Sequence, residues 1–135
     1  MIWKLPARDI PISHPTRIMG IVNLTDDSFS GDGSLDPQVA ADIAREQIGA
    51  GADIIDVGAE SARTNRHAIP VETEIKRFLA FLDHWPDILA TCRPRDATQL
   101  WPPVLSANSW RPEVAAAILP HGIELLNDMS ALPDP

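Results

Sequence analysis

The sequence contains a single cysteine, Cys92, among its 135 residues. One cysteine can form neither an internal disulfide nor a cysteine-based metal site, and no activating context for a catalytic thiol surrounds it. Long apolar runs are also absent: no apolar stretch has the length of about 20 residues that a membrane-spanning helix needs. The N-terminus lacks the apolar core of a signal peptide. We therefore expect a soluble protein that stays in the cytoplasm.

Basic residues are scarce as well. Eleven Lys and Arg stand against 19 Asp and Glu, which gives a formal net charge of -8. An acidic surface disfavours nucleic acid and anionic membranes as partners, although local donors can still bind a small anion. The histidines have no metal-ligand spacing and are interpreted as surface or structural residues: His14, His67, His84 and His121.

Short apolar runs alternate with helical patterns along the chain. The predicted strands are 17–23, 53–57, 103–107 and 123–126. The predicted helices are 36–49, 71–82 and 111–119. Asp36 is a suitable N-cap with Pro37 in the first turn, and Glu72 and Glu74 suit the positive end of the second helix dipole. Strands that alternate with helices imply a parallel sheet.

Two segments have less regular patterns. Residues 1–15 carry three prolines and alternating apolar residues. They predict a short β-hairpin or an extended lead-in, and a hairpin here could cap the bottom of a barrel. Residues 83–103, rich in Pro, Trp and Arg, have no clean period and are interpreted as a helix extension followed by irregular chain, or as an insertion.

Each predicted strand ends in polar residues: Asn23, Glu60-Ser61, Asn108-Ser109 and Asn127-Asp128. Because parallel strands end at the same side of a sheet, these residues can converge on a ligand. Asp56 lies one residue before its strand ends. It is interpreted as a buried hydrogen-bonding residue that supports the loops rather than as an acid–base catalyst.

Four strands amount to about half of an eight-stranded βα barrel, which usually needs about 250 residues. An isolated half would expose the edges of its first and last strands. Three interpretations follow: a truncated product, a half that pairs with another chain or a second copy, and a small open α/β sheet. Truncation is favoured, because residues 131–135 follow a strand without a closing helix.

Four stretches match, in order, the signatures of one family. IMGIVNLTDDSFSGDG at 18–33 is similar to IMGILNVTPDSFSDGG, and GADIIDVGAESARTN at 51–65 is similar to GADIIDVGGESTRPG. SANSWRPEVA at 106–115 is similar to SVDTYKPEVA, and LNDMSAL at 126–132 to INDVSGL. The chain thus resembles dihydropteroate synthase over nearly its whole length. The resemblance implies an α/β fold of the parallel (β/α)8 TIM-barrel type, with residues 1–135 forming the N-terminal part and only about the first four strands present.

Members of that family condense 6-hydroxymethyl-7,8-dihydropterin diphosphate with p-aminobenzoate and release pyrophosphate, with the help of Mg²⁺, in folate biosynthesis. The resemblance therefore implies a transferase with these two substrates and Mg²⁺ as cofactor. This chain alone would be incomplete, because further site residues of the family lie in the second half of the barrel. A homodimer is a candidate assembly.

The resemblance also assigns roles to individual residues. Asn23 would bind Mg²⁺ through its hard amide oxygen. Arg63 would bind the diphosphate beside Ala62, and Asn108 and Asn127 would contact the pterin. A loop that closes over the ligands would contain Thr25, Asp27, Ser28 and Phe29. No catalytic acid or base is assigned.

Two departures from the family pattern favour a rival function. Ala62 replaces a threonine that helps hold the diphosphate, and Asn108 replaces an aspartate and so loses a negative charge. Both are compatible with a non-catalytic pterin-binding paralogue. A second rival, the pterin-binding domain of a corrinoid-linked methyltransferase, is disfavoured because it lacks the loop sequence found here at 25–30.

Overall fold

The computed structural model describes residues 1–11, 16–25, 35–59 and 68–128. The elements in chain order are β1 (Ile2–Lys4), β2 (Asp9–Pro11), β3 (Met19–Asn23), α1 (Pro37–Gly49), β4 (Ile54–Gly58), α2 (Val71–Leu82), α3 (Trp85–Thr91), β5 (Val104–Asn108), α4 (Pro112–Ile118) and β6 (Leu125–Asn127). A 3₁₀ turn, Leu119–His121, follows α4. Within these ranges, no helix has the length and apolar character needed to cross a membrane.

The main sheet has four parallel strands in the order β3-β4-β5-β6. This arrangement confirms the predicted α/β class and the predicted count of four strands. The expected strand starts were too early, by two residues for β3 and β6, which begin at Met19 and Leu125, and by one residue for β4 and β5. The strands stand side by side in chain order, as they would in one half of a barrel. In the described part of the chain, β3 and β6 pair with a strand on one side only.

One hydrophobic core lies between the sheet and the helices. Alternate side chains of the strands are fully buried there: Val22, Ile55, Val57, Leu105 and Ala107. They pack against the apolar faces of the helices, including Ala44, Ile48, Phe78, Phe81 and Ile118. Each large apolar side chain buried in this way stabilises the fold by about 1.5–3 kcal/mol.

The predicted N-terminal hairpin is confirmed. Strands β1 and β2 pair antiparallel, with Trp3 opposite Ile10. Ile10 is fully buried in a second, smaller core with Ile54 and Val104, the first residues of β4 and β5. Arg8 in the hairpin turn donates two hydrogen bonds, of 2.9 and 2.8 Å, to the carboxylate of Glu124. The hairpin therefore covers the end of the sheet at which the strands begin.

The segment 83–103 begins with a separate short helix, α3, where one interpretation of the sequence expected an extension of α2. α3 is only seven residues long, with a proline at its start and two buried residues, Trp85 and Ile88. The Trp85 ring packs against Phe81, with 6.4 Å between ring centroids. Further along, Gln99 Nε2 donates to the carbonyls of Ile48 and Ala52, both at 2.8 Å. These contacts attach the segment to the core and to the end of α1.

Helix α1 approaches β3 closely at Gly20. A Cβ at position 20 would lie 2.9 Å from Gln47 Cδ and would overlap its amide oxygen. Gln47 Nε2 donates to the Ile21 carbonyl at 2.7 Å. That carbonyl points away from β4, because the backbone bonds to β4 use the alternate residues Ile18 and Leu24. Gln47 therefore occupies an acceptor on the outer side of β3.

Candidate functional site

The inner face of the sheet, opposite the helices, changes in polarity from one end to the other. Residues that are paired in register project on the same side and form three successive rows. The first row contains Met19, Ile54 and Val104. The second contains Ile21, Asp56, Ser106 and Leu125. The third, at the carboxyl ends of the strands, contains Asn23, Gly58, Asn108 and Asn127. The structure thus brings the three predicted asparagines into one row.

Asp56 holds the centre of this face. It is 3% exposed. Its Oδ1 accepts a 2.6 Å hydrogen bond from Ser106 Oγ, and its Oδ2 accepts a 3.2 Å bond from Asn127 Nδ2. The prediction that Asp56 is a buried hydrogen-bonding residue is confirmed. The bond orients the Asn127 amide, which retains an acceptor oxygen and a second N–H for a ligand.

Asn23 and Asn108 flank Gly58 in the third row and are both half-buried. A Cβ at Gly58 would lie 3.6 Å from Asn108 Cβ. The glycine therefore leaves room for about one methyl group beside Asn108. The two amides supply donors and acceptors at the strand ends, which is what the edge of a flat ligand requires.

Asn23 also fits the expected magnesium role. Among the described residues, no three His, Cys, Asp or Glu side chains group closely enough to hold a metal ion. Mg²⁺ commonly keeps several waters and takes its remaining ligands from few protein oxygens and from substrate phosphates. A single amide oxygen at the end of β3 is compatible with such a site, and the magnesium role of Asn23 stays a prediction.

The predicted loop residues are only partly described. Thr25 is 4% exposed, so it belongs to the buried base of the loop rather than to its solvated part. The preceding Leu24 N–H donates to the Gly58 carbonyl at 2.7 Å and continues the β3–β4 ladder. The remaining predicted site residues lie outside the described ranges, and their roles stay predictions: Asp27, Ser28, Phe29, Ala62 and Arg63.

A cavity of about 670 Å³ lies beside Asn127, between the end of β6 and the start of α4. Trp110 and Arg111 line one side, and Leu126 and Asp128 line the other. The Arg111 guanidinium lies 4.9 Å from the centroid of the Trp110 ring, within the range of a cation–π contact. The sequence analysis had not identified Trp110 or Arg111 as candidate site residues.

Behind this cavity lies a buried ion pair that was not predicted from the sequence. Glu74 of α2 is 1% exposed, and its Oε1 lies 3.1 Å from Arg111 Nη1. The sequence contains a signal for this burial, because Glu74 shares a helix face with Phe78, Phe81 and Leu82. An acidic residue on an apolar helix face requires a buried partner.

Cys92 has no catalytic setting. Its side chain is buried, and burial raises the pKa of the thiol above its usual value, although Arg45 and Arg93 oppose the shift. The thiolate is the reactive form, so little of it exists at neutral pH. We expect native Cys92 to react with a thiol reagent at least about tenfold more slowly than in denatured chain. A time course at pH 7 and pH 9 measures this. Rapid reaction of the native chain at pH 7 would contradict the interpretation of Cys92 as a buried, unreactive thiol.

Comparison with known proteins supports the signatures. The family described as "Pterin binding enzyme" matches residues 19–135. Dihydropteroate synthase of Clostridium beijerinckii is 37% identical over 127 residues, which cover 93% of this chain and 43% of that protein. The Escherichia coli dihydropteroate synthase is 34% identical over 127 residues, with 93% of this chain and 40% of that protein covered.

Solved structures give the same result. Coxiella burnetii dihydropteroate synthase, in complex with pteroic acid, superposes with a TM-score of 0.77 and 27% identity over 98% of this chain and 42% of that one. The Xanthomonas albilineans enzyme with 4-aminobenzoic acid superposes with a TM-score of 0.70 and 32% identity over 99% of this chain and 45% of that one.

The chain therefore belongs to the pterin binding enzyme family. Its fold is that of the dihydropteroate synthase barrels, with four parallel strands present, as the resemblance implied. The chain spans less than half the length of each of these four relatives.

Proposed function

We propose that residues 1–135 provide the N-terminal, pterin-binding part of a dihydropteroate synthase. The whole protein would condense 6-hydroxymethyl-7,8-dihydropterin diphosphate with p-aminobenzoate and release pyrophosphate, as a cytoplasmic step of folate biosynthesis. The observation that carries the proposal is the Asp56–Asn127 contact. It holds an amide in one orientation at the strand ends, where the edge of a pterin can meet it.

Each member of the asparagine row has a proposed role. Asn127 and Asn108 would bind the pterin edge, and Asn23 would provide an oxygen ligand to Mg²⁺. When bound, Mg²⁺ would neutralise charge on the diphosphate leaving group. Arg63, next to Ala62, would contact the same diphosphate through its guanidinium. The loop residues Thr25, Asp27, Ser28 and Phe29 would close over both substrates.

A non-catalytic pterin-binding paralogue is the second candidate. The observation in its favour is the charge of the third row, in which Asn23, Asn108 and Asn127 are neutral and no carboxylate is present. A neutral row can hydrogen-bond a pterin, but it stabilises a developing pterin cation less well than a carboxylate does. Turnover measured on a protein with both barrel halves separates the two candidates.

Calorimetric titration of the chain with the pterin diphosphate, with and without Mg²⁺, tests the binding role. We expect Mg²⁺ to tighten binding by about tenfold, equivalent to about 1.4 kcal/mol. Asn23→Ala should remove most of that gain and leave metal-free binding unchanged. The exposed amide of Gln38 provides a matched control, and Gln38→Ala should behave as wild type.

A second control uses the ligand. The unphosphorylated hydroxymethyl pterin should bind equally well with and without Mg²⁺, because it lacks the oxygens that would complete the metal site. A chain with native circular dichroism that binds neither ligand would contradict the proposed function.

A further inference from the structure

Helix α2 contacts the ends of two neighbouring strands. Arg77 Nη1 donates to the carbonyl of Ala59, directly after β4, at 3.1 Å. Three residues earlier on α2, the Glu74 carboxylate receives a 2.8 Å bond from Ser109 Oγ and a 3.1 Å bond from Arg111 Nη1. Ser109 directly follows β5. One helix therefore fixes where two strands leave the sheet.

The contacts of Glu74 involve the residues that follow Asn108. Ser109 and Arg111 are each 7% exposed, so the cluster is largely buried, and its remaining exposure is toward the cavity beside Asn127. The backbone N–H of Arg111 also donates to Ser109 Oγ at 3.3 Å. The hydroxyl of Ser109 thus joins the carboxylate to the backbone between Asn108 and α4. This short segment has little freedom to move without breaking a buried bond.

Stability alone does not account for this cluster. A buried ion pair can often be replaced by apolar side chains of similar size without loss of stability, because desolvation offsets the attraction between the charges. Directional bonds to two residues of one loop, by contrast, select a single path for that loop. The loop concerned begins at a residue of the asparagine row.

We propose that Glu74 is a positioning residue for the pterin site. Through Ser109 and Arg111 it fixes the end of β5 and thereby the orientation of the Asn108 side chain. The inference deepens the proposed function, because it rests on Asn108 as a pterin contact. Glu74 itself lies behind the loop and need not touch the substrate.

Glu74→Gln tests the proposal, with Glu72→Gln as the matched control. Both variants remove one negative charge from the first turn of α2, but Glu72 is exposed. Two quantities are measured on the whole chain: the side-chain amide signals of Asn108 in ¹H–¹⁵N spectra, assigned with Asn108→Ala, and the affinity for the pterin diphosphate. We expect Glu74→Gln to shift the Asn108 signals, leave those of Asn23 in place and weaken binding about tenfold. Glu72→Gln should change neither.

Ser109→Ala covers the case in which Glu74→Gln does not fold. It removes the hydroxyl link and leaves the ion pair intact, so it should also shift the Asn108 signals. The proposal is overturned if Glu74→Gln folds and its Asn108 signals are unchanged. If only Ser109→Ala folds, unchanged Asn108 signals in that variant overturn it. If the wild-type chain does not bind pterin at all, the proposed function fails, while the Asn108 signals still decide whether Glu74 positions this residue.

Discussion

Asp56→Ala is expected to lower the free energy of unfolding by about 3 kcal/mol and to weaken binding of the pterin diphosphate about 100-fold. The carboxylate is buried and accepts bonds from Ser106 Oγ and Asn127 Nδ2. Alanine would leave the Ser106 hydroxyl, which is fully buried, without this partner. It would also release the Asn127 amide, so the affinity loss adds to the stability loss. Urea denaturation and calorimetry measure the two effects.

Two further variants separate these effects. Asp56→Asn keeps the volume but has one acceptor oxygen in place of two, so we expect it to fall between wild type and alanine on both scales. Asp42→Ala removes a carboxylate that is 63% exposed on α1, and it should change stability by no more than about 0.5 kcal/mol. Wild-type affinity of Asp56→Ala, measured where the variant is folded, would contradict a role for Asp56 in the site.

Gly20→Val is expected to destabilise the fold by about 2 kcal/mol, although valine is the better strand former. Strand propensity alone therefore predicts that Gly20→Val stabilises the fold, whereas the structure predicts that it destabilises the fold. The new Cβ would overlap the Gln47 amide and break its bond to the Ile21 carbonyl. Rotation of the amide would not relieve the crowding completely, because Gln47 Cβ itself would lie 3.2 Å from the new Cβ. The midpoint of urea denaturation measures the change.

A second substitution identifies the cause. Gln47→Ala in the Gly20→Val background removes the overlapping amide and leaves only the 3.2 Å contact with the Cβ of residue 47. It should therefore recover part of the lost stability, which makes the two changes non-additive. Gly49→Ala is the control, because a Cβ there meets no atom within 4 Å. It should be neutral or slightly stabilising, as expected for alanine in a helix. A Gly20→Val chain more stable than wild type would contradict the close approach of α1.

Local patterns were sufficient to predict most of the fold. Helix α1 begins where Asp36 and Pro37 indicated, and Asp36 Oδ1 accepts the Gln38 N–H at 2.9 Å. The bounds of α2, Val71–Leu82, agree with the prediction. Helix α3 was expected only as one alternative, an extension of α2, because two buried residues in seven are too few to define a helical period. Packing of α3 against α1 and α2 buries them, and no local pattern reports such packing.

The site was predictable only where it depends on strand ends. Parallel pairing alone places Asn23, Asn108 and Asn127 in one row, so counting residues from each strand was enough. The partners of Asp56 depend on which strands are neighbours, and Ser106 lies 50 residues away in the chain. Glu74 was interpreted as a helix-dipole residue because its partner Arg111, 37 residues later, is fixed only by the packing of α2 against α4.

The three rows of the inner face change from apolar side chains that pack the fold to polar side chains at the strand ends. Ile54 and Val104 pack with the hairpin at one end, while Asn108 sits four residues further along its strand, about 13 Å away at about 3.3 Å per residue. An exchange such as asparagine for aspartate at position 108 therefore leaves the apolar floor untouched. Under the proposed function, single substitutions in the third row would change the ligand contacts of this sheet and leave its packing intact.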